Sequence, residues 1–157
     1  ADTGVAHLIF RTSWVYGQRG NNFLLTMKRL ATQRDELSVV DDQIGAPTWC
    51  RHIADATAHI VAQGLATNNL NQFIQQQSGI YNLTGDGVTS WHGFAKAIFD
   101  VLEQQGEKVA DLHAIATSAY PTPAQRPHYS CLNNEKLATT FGISLPNWQD
   151  SLDLVMK

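Results

Sequence analysis

Cysteine is scarce in this chain: Cys50 and Cys131 are the only two among 157 residues. They lie far apart and form no Cys-x-x-Cys or zinc-type spacing, so they fit a reducing, cytosolic setting and are not expected to pair. Long apolar runs are missing too. No stretch approaches the roughly 20 apolar residues of a membrane span, and the N-terminus lacks a charged-then-apolar signal pattern, which makes a cytoplasmic, non-membrane protein the expectation. Charge is thin, with 16% charged residues and a net charge of -3. There is no basic arm or stripe, so nucleic acid is not expected as a partner. No internal repeat is visible.

With 43% hydrophobic residues, the chain can bury one core of ordinary size. It is read as a single region over residues 1–157. The chain opens on Ala and not Met, and Ala1-Asp2-Thr3-Gly4 leads almost at once into a strand, which points to a piece of something longer.

Several catalytic signatures are absent as well. Gly85-Asp86-Gly87-Val88-Thr89-Ser90 lies between a strand and a helix, but Ser90 stands where a dinucleotide fingerprint needs its third glycine. Gly85 and Gly87 therefore read as a turn, with Ser90 capping the next helix. Carbonyl reduction needs a proton donor, which a Tyr-x-x-x-Lys pair on a helix would supply. Four residues after Tyr16, Tyr81, Tyr120 and Tyr129 stand Gly20, Gly85, Ala124 and Asn133, so no such pair exists and no catalytic residue is assigned. A Gly-x-Ser-x-Gly turn is also missing. His52, Asp55 and His59 share one helix, but no further ligand is evident and no metal site is assigned.

The remaining segments alternate strand and helix. His7-Leu8-Ile9-Phe10 reads as a short buried strand that runs into the aromatic-rich turn Arg11-Thr12-Ser13-Trp14-Val15-Tyr16-Gly17. Strand ends in α/β proteins are where ligands sit, although Trp14 and Tyr16 would serve equally as core packing. Asn21 or Asn22 caps a helix from Phe23 to about Ala31. Leu37 to Val40 is a strand, and Thr48 caps a helix from Trp49 to Ala66 that buries Ile53, Ala56, Ile60 and Val61. Thr67 to Ser78, rich in Asn and Gln, reads as a surface loop. Ile80 to Thr84 is a strand, Ser90 opens a helix to Gln105, and Val109 to Ile115 is a fourth strand. Pro121, Pro123 and Pro127 forbid regular structure until Asn133 or Asn134 opens a short helix, and Trp148 to Met156 forms the last one. The fold class expected is α/β: the terminal part of a Rossmann-like parallel sheet plus a small C-terminal substrate-binding α/β domain.

Three loops share one chemistry. Asn22 at a helix start suits an anion such as a diphosphate. Asp42-Gln43-Ile44-Gly45-Ala46-Pro47-Thr48 offers polar side chains on a tight backbone. Tyr120-Pro121-Thr122-Pro123-Ala124-Gln125-Arg126-Pro127 presents an arginine fork on a stiff loop, ready for phosphate.

Taken in order, Arg11 to Gly17, Gly20-Asn21-Asn22-Phe23, Asp41 to Thr48, Gly85 to Ala95, and Tyr120 to Asn133 resemble the C-terminal half of the dTDP-4-dehydrorhamnose reductases, members of the extended short-chain dehydrogenase/reductase family. The resemblance runs from about His7 to Leu154. It implies a dTDP-sugar as substrate, NADPH or NADH as hydride source, and an N-terminal Rossmann domain, absent from this sequence, that carries the glycine-rich loop and the Tyr-x-x-x-Lys acid. By position it implies that Trp14 contacts the sugar, that Ser13, Val15 and Tyr16 wall the nicotinamide, that Asn22 and Arg126 serve the diphosphate, and that Gln43 and Thr48 serve the nucleotide end. The chain alone is then expected to be inactive. A homo-oligomer is compatible with the resemblance, but the magnesium-bridged dimer of some members is not favoured. Arg51 stands where they carry a glutamate, and its positive charge would repel the ion. Two alternatives stay open: another NAD(P)-dependent nucleotide-sugar epimerase or dehydratase, or a non-catalytic regulatory subunit of the methionine adenosyltransferase type.

Overall fold

The computed structural model describes residues 4–157; Ala1, Asp2 and Thr3, which open the leader into the first strand, lie outside the described residues. In chain order the elements are β1 (Leu8–Arg11), β2 (Val15–Tyr16), α1 (Phe23–Gln33), β3 (Glu36–Val40), β4 (Ile44–Gly45), β5 (Thr48–Trp49), α2 (Cys50–Ala66), α3 (Leu70–Gln76), β6 (Gly79–Asn82), β7 (Thr89–Ser90), α4 (Trp91–Gln104), β8 (Asp111–Ile115), α5 (Glu135–Phe141) and α6 (Trp148–Met156). A single 3-10 turn, Thr117–Ala119, follows β8.

The strands pair as β1 with β6, β2 with β5, β3 with β8, and β4 with β7; the first three pairs are parallel and the last antiparallel. A parallel pair cannot be closed by a tight turn, so helices carry each long crossover: α2 and α3 lie between β1 and β6, and α4 between β3 and β8. This is the α/β class read from the alternation of elements.

Helix α4 is the centre of the larger core. Its Phe94, Ala95, Ile98, Phe99 and Leu102 recur at helical spacing and are buried against Leu24 and Met27 of α1, Val39 of β3 and Leu152 of α6. The Ser90 hydroxyl oxygen accepts from the Gly93 N–H at 2.8 Å, satisfying one of the free amides at the helix start. A second, smaller core lies under β1 and β6, where Ala56 and Ile60 of α2 meet Tyr81, Leu83, Leu137 and Phe141.

The structure departs from the sequence reading at five places. Strand β1 is covered on one face only: Leu8 and Phe10 pack inward, while Ile9 is 47% exposed and sits in register with the equally open Ile80. Helix α2 buries Gly64, beneath Leu70 and Phe73, and leaves Val61 exposed. Thr48 does not cap α2. It pairs with Val15, its hydroxyl donates to the Ala46 carbonyl at 3.1 Å and accepts from the Gly85 N–H at 3.1 Å, and Trp49 takes the cap position without a side-chain bond. The Asn/Gln-rich segment is not all loop: Asn69 caps α3 by accepting from the Gln72 N–H at 3.0 Å, and Phe73 packs on Phe141. Finally, β2, β4, β5 and β7 are two-residue strands too short to leave any alternation in the sequence.

The Gly85–Ser90 turn docks on the start of α6. Asp86 donates its N–H to the Pro146 carbonyl at 3.1 Å and accepts from the Trp148 N–H at 3.0 Å. Gly85 is required there by close approach, since a Cβ would lie 2.5 Å from the Pro47 carbonyl oxygen.

Candidate functional site

Beyond β1 the chain reverses through Trp14, whose φ of 48° lies in the left-handed region that costs a non-glycine residue about 1–2 kcal/mol. Two neighbours offset that cost. The Trp14 carbonyl accepts from the Thr48 N–H at 3.1 Å, and its indole stacks on Trp91 with ring centroids 3.5 Å apart and planes 7° from parallel. Gly45 leaves the space the indole fills: a Cβ at that position would overlap Cε2, Nε1 and Cζ2 of Trp14.

The stacked pair borders a cleft of about 340 Å³ completed by Ser13, Gln43, Arg126, Pro127 and Ser130. Arg126 and Gln43 also face a second, mostly apolar cavity of about 370 Å³ between α1, β3 and the proline-rich loop, where Phe23, Met27, Leu37 and Tyr120 form the walls. Arg126 further lines a hollow of about 730 Å³ along Thr117–His128. Arg126 therefore borders all three hollows. Among the described residues the ion pairs are Arg51–Asp55, His92–Asp41 and Lys96–Asp100, so no carboxylate lies within 4 Å of Arg126 and its five donors are open to an anion.

The loop holding Arg126 is tied to the segment before β4. The Asp42 carboxylate accepts from the Thr117 N–H at 2.9 Å and from its hydroxyl at 2.5 Å. Those bonds hold the Asp42 carboxyl below its ordinary value. The buried Gln43 donates Nε2 to the same Thr117 hydroxyl oxygen at 3.0 Å. Ser130 donates its N–H and its hydroxyl to the Ile44 carbonyl, at 2.9 and 3.1 Å. Asp41 serves the neighbouring helix start, accepting from the Ser90 hydroxyl with His92 3.7 Å away.

Of the residues singled out in the sequence, Ser13, Trp14, Gln43 and Arg126 meet at one cleft. Asn22, Thr48, Val15 and Tyr16 do not line it. Asn22 spends its carboxamide on the α1 cap, donating to the Gly17 and Arg19 carbonyls and accepting from the Leu25 N–H. Thr48 is fully buried with both hydroxyl bonds used inside the protein. Alternation along β2 turns Val15 to the surface and Tyr16 into the core against Phe94. Burial pushes the Tyr16 hydroxyl pKa up, and the hydroxyl finds no hydrogen-bond partner among the described residues.

The sequence reading gives Trp91, Asp42, Thr117 and Ser130 no individual role, although Asp42 lies in its polar loop and Trp91 and Ser130 in its motifs. Trp91 follows the capping Ser90 directly, but nothing local pairs it with Trp14. Among the described residues no three His, Cys, Asp or Glu side chains gather closely enough to hold a metal, and no helix is long and apolar enough to cross a membrane. Arg51 pairs with Asp55 at 3.6 Å on the exposed face of α2.

Helices, short parallel strand pairs and an arginine-bearing cleft beside a stacked aromatic pair define the α/β architecture and its candidate site. Comparison with known proteins gives the family: residues 1–157 match the RmlD substrate binding domain, and the chain belongs to that family. It is 47% identical over its whole length to the dTDP-4-dehydrorhamnose reductase of Burkholderia thailandensis, of which it covers 53%. It is 46% identical to the dTDP-4-dehydrorhamnose reductase of Escherichia coli K12, covering 91% of this chain and 46% of that protein. The chain thus spans about half the length of the curated relatives it matches.

Among solved structures, the dTDP-4-dehydrorhamnose reductase ortholog of Clostridium acetobutylicum aligns over 95% of this chain and 47% of its own, with a TM-score of 0.78 and 33% identity. The Bacillus anthracis reductase, solved in complex with NADP, aligns with a TM-score of 0.75 and 32% identity over 94% of this chain and 47% of its own.

Proposed function

We propose that this chain forms the sugar-nucleotide-binding part of a dTDP-4-dehydrorhamnose reductase, an NAD(P)H-dependent oxidoreductase that converts dTDP-4-dehydro-L-rhamnose to dTDP-L-rhamnose for cell-surface polysaccharide synthesis. The observation that carries the reading is the meeting of Trp14, Gln43 and the unpaired Arg126 at one cleft. A deoxysugar offers an apolar face and hydroxyls, which an indole with its N–H donor matches. A diphosphate offers paired anionic oxygens, which a guanidinium fork binds in a bidentate way. Between them the Gln43 side chain and the Ser13 hydroxyl can bond the ligand's polar edges.

The 157 residues do not by themselves fit a nicotinamide dinucleotide. They hold no Gly-x-Gly-x-x-Gly turn and no Tyr-x-x-x-Lys pair, and of the three residues expected beside the nicotinamide only Ser13 lines the cleft. In this reading NAD(P)H and the proton donor are bound mainly by residues outside this sequence, and the chain contributes binding and orientation of the sugar.

Calorimetric or NMR titration of the chain with dTDP-L-rhamnose tests the reading. Saturable binding that is weakened by Arg126→Ala and Trp14→Ala is expected, and no binding at millimolar ligand would overturn it. Steady-state assay of an enzyme carrying this chain, with dTDP-4-dehydro-L-rhamnose and either nicotinamide cofactor, separates the reductase from an epimerase or dehydratase.

A further inference from the structure

Asp42 touches none of the three hollows, yet it makes more bonds to the loop that borders them than any side chain in the cleft. Its carboxylate takes both the N–H and the hydroxyl of Thr117, the first residue of the 3-10 turn that launches the proline-rich segment. The far end of that segment returns to the same place. The Ile44 N–H donates to the His128 carbonyl at 2.8 Å, the Ser130 N–H donates to the Ile44 carbonyl at 2.9 Å, and the His128 ring Nδ1 lies 3.1 Å from the Asp42 carbonyl oxygen. Residues 118–127 therefore form a strap whose two ends are both pinned to residues 42–44. The strap carries Arg126.

The Thr117 hydroxyl links the two halves of the cleft. It donates to Asp42 and, through its oxygen, accepts from Gln43, so the orientation of Gln43 and the origin of the strap are set by one hydroxyl held by one carboxylate. Pro121, Pro123 and Pro127 stiffen the strap between its pins, so displacement at Thr117 is carried along it and not absorbed locally.

We propose that Asp42 is a positioning residue for sugar-nucleotide binding: through Thr117 it fixes Gln43 and anchors the strap that presents Arg126 to the diphosphate. This rests on the functional reading above and adds to it a residue that never meets the ligand. Because Asp42 is exposed, its substitution opens no cavity in either core.

The test uses the full chain and dTDP as the probe, with affinity read by calorimetry and folding by thermal unfolding. Asp42→Ala is expected to weaken dTDP about tenfold or more, as loss of both hydrogen bonds to Thr117 does, while Asp42→Asn, which keeps an acceptor oxygen for them, stays near the wild type. Thr117→Val, which removes the hydroxyl and keeps the shape, is expected to follow Asp42→Ala. A merely structural role would lower the unfolding temperature without this pattern. Acting through Arg126 further requires that Asp42→Ala cost less in an Arg126→Ala background than in the wild type, the remainder being the share carried by Gln43.

The proposal is overturned if folded Asp42→Ala binds dTDP like the wild type, or if its cost is unchanged in the Arg126→Ala background. Amide hydrogen exchange over residues 117–130 supplies a readout without ligand: Asp42→Ala should speed it and Asp42→Asn should not, and unchanged exchange also overturns the anchoring. Failure of the wild-type chain to bind dTDP at all would instead overturn the functional reading, and the exchange measurement still decides whether Asp42 holds the strap.

Discussion

Trp14 and Trp91 lie face to face, with ring centroids 3.5 Å apart and planes 7° from parallel, and the contact joins the turn after β1 to the first residue of α4. The stack helps hold Trp14 at its positive φ and forms one side of the cleft that Arg126 also lines. Gly45→Ala tests how tightly that arrangement is enforced, because the new methyl would overlap the indole. We expect a loss of about 1–3 kcal/mol in urea denaturation, the usual cost of overpacking, together with loss of the coupled-indole signal in circular dichroism. A variant with unchanged stability and an intact signal would show that the indole has room to move aside.

Tyr16 gives the opposite expectation. Its ring is core, packed 5.1 Å from Phe94 and almost fully buried, while its hydroxyl meets no partner among the described residues. Tyr16→Phe removes a buried polar group that returns no hydrogen bond, so stability should hold or rise by up to about 1 kcal/mol. Equilibrium denaturation measures this directly. A clear loss would mean that the hydroxyl is bonded in solution.

What the sequence revealed and what it hid follow from the range of each interaction. The caps Asn22 and Ser90 were legible because a cap binds a backbone N–H within three residues of itself. Helix α4 was legible because its buried positions recur at 3.6-residue spacing. Thr48 was misread because the competing partner for its hydroxyl, Gly85, is adjacent only after folding. Helix α3 was hidden by composition, since Asn and Gln carry no periodic signal and Phe73 is held by the distant Phe141. At the cleft, Trp14 and Arg126 stood out by residue type and setting. Trp91 and Asp42 did not, because their roles arise from neighbours on other segments.

Asn22 separates a structural from a ligand-binding role for the loop before α1. Its side chain bonds the Gly17 and Arg19 carbonyls and the Leu25 N–H, all within the turn it caps. Asn22→Ala should therefore cost about 1 kcal/mol of stability, as loss of a cap does, and leave dTDP affinity of the folded protein unchanged. A tenfold or greater loss of affinity, about 1.4 kcal/mol, would place Asn22 on the diphosphate after all.

The contact between α2 and α6 should make stability fall in mild acid. His52 Nδ1 lies 3.2 Å from the buried Ser151 hydroxyl, and the ring sits edge-on to Trp49 at 4.9 Å. Burial lowers the imidazole pKa from its ordinary 6.5, the Arg51 charge lowers it further, and Asp55 opposes both. A depressed folded-state pKa means that the unfolded chain takes up the proton first. The His52 contribution is then whole above pH 6.5 and is lost as pH falls through the lower folded-state value. Unfolding temperatures measured from about pH 8 to about pH 5 should decline over that window, and His52→Gln should flatten the decline. An unaltered slope in the variant would assign the acid sensitivity to other groups.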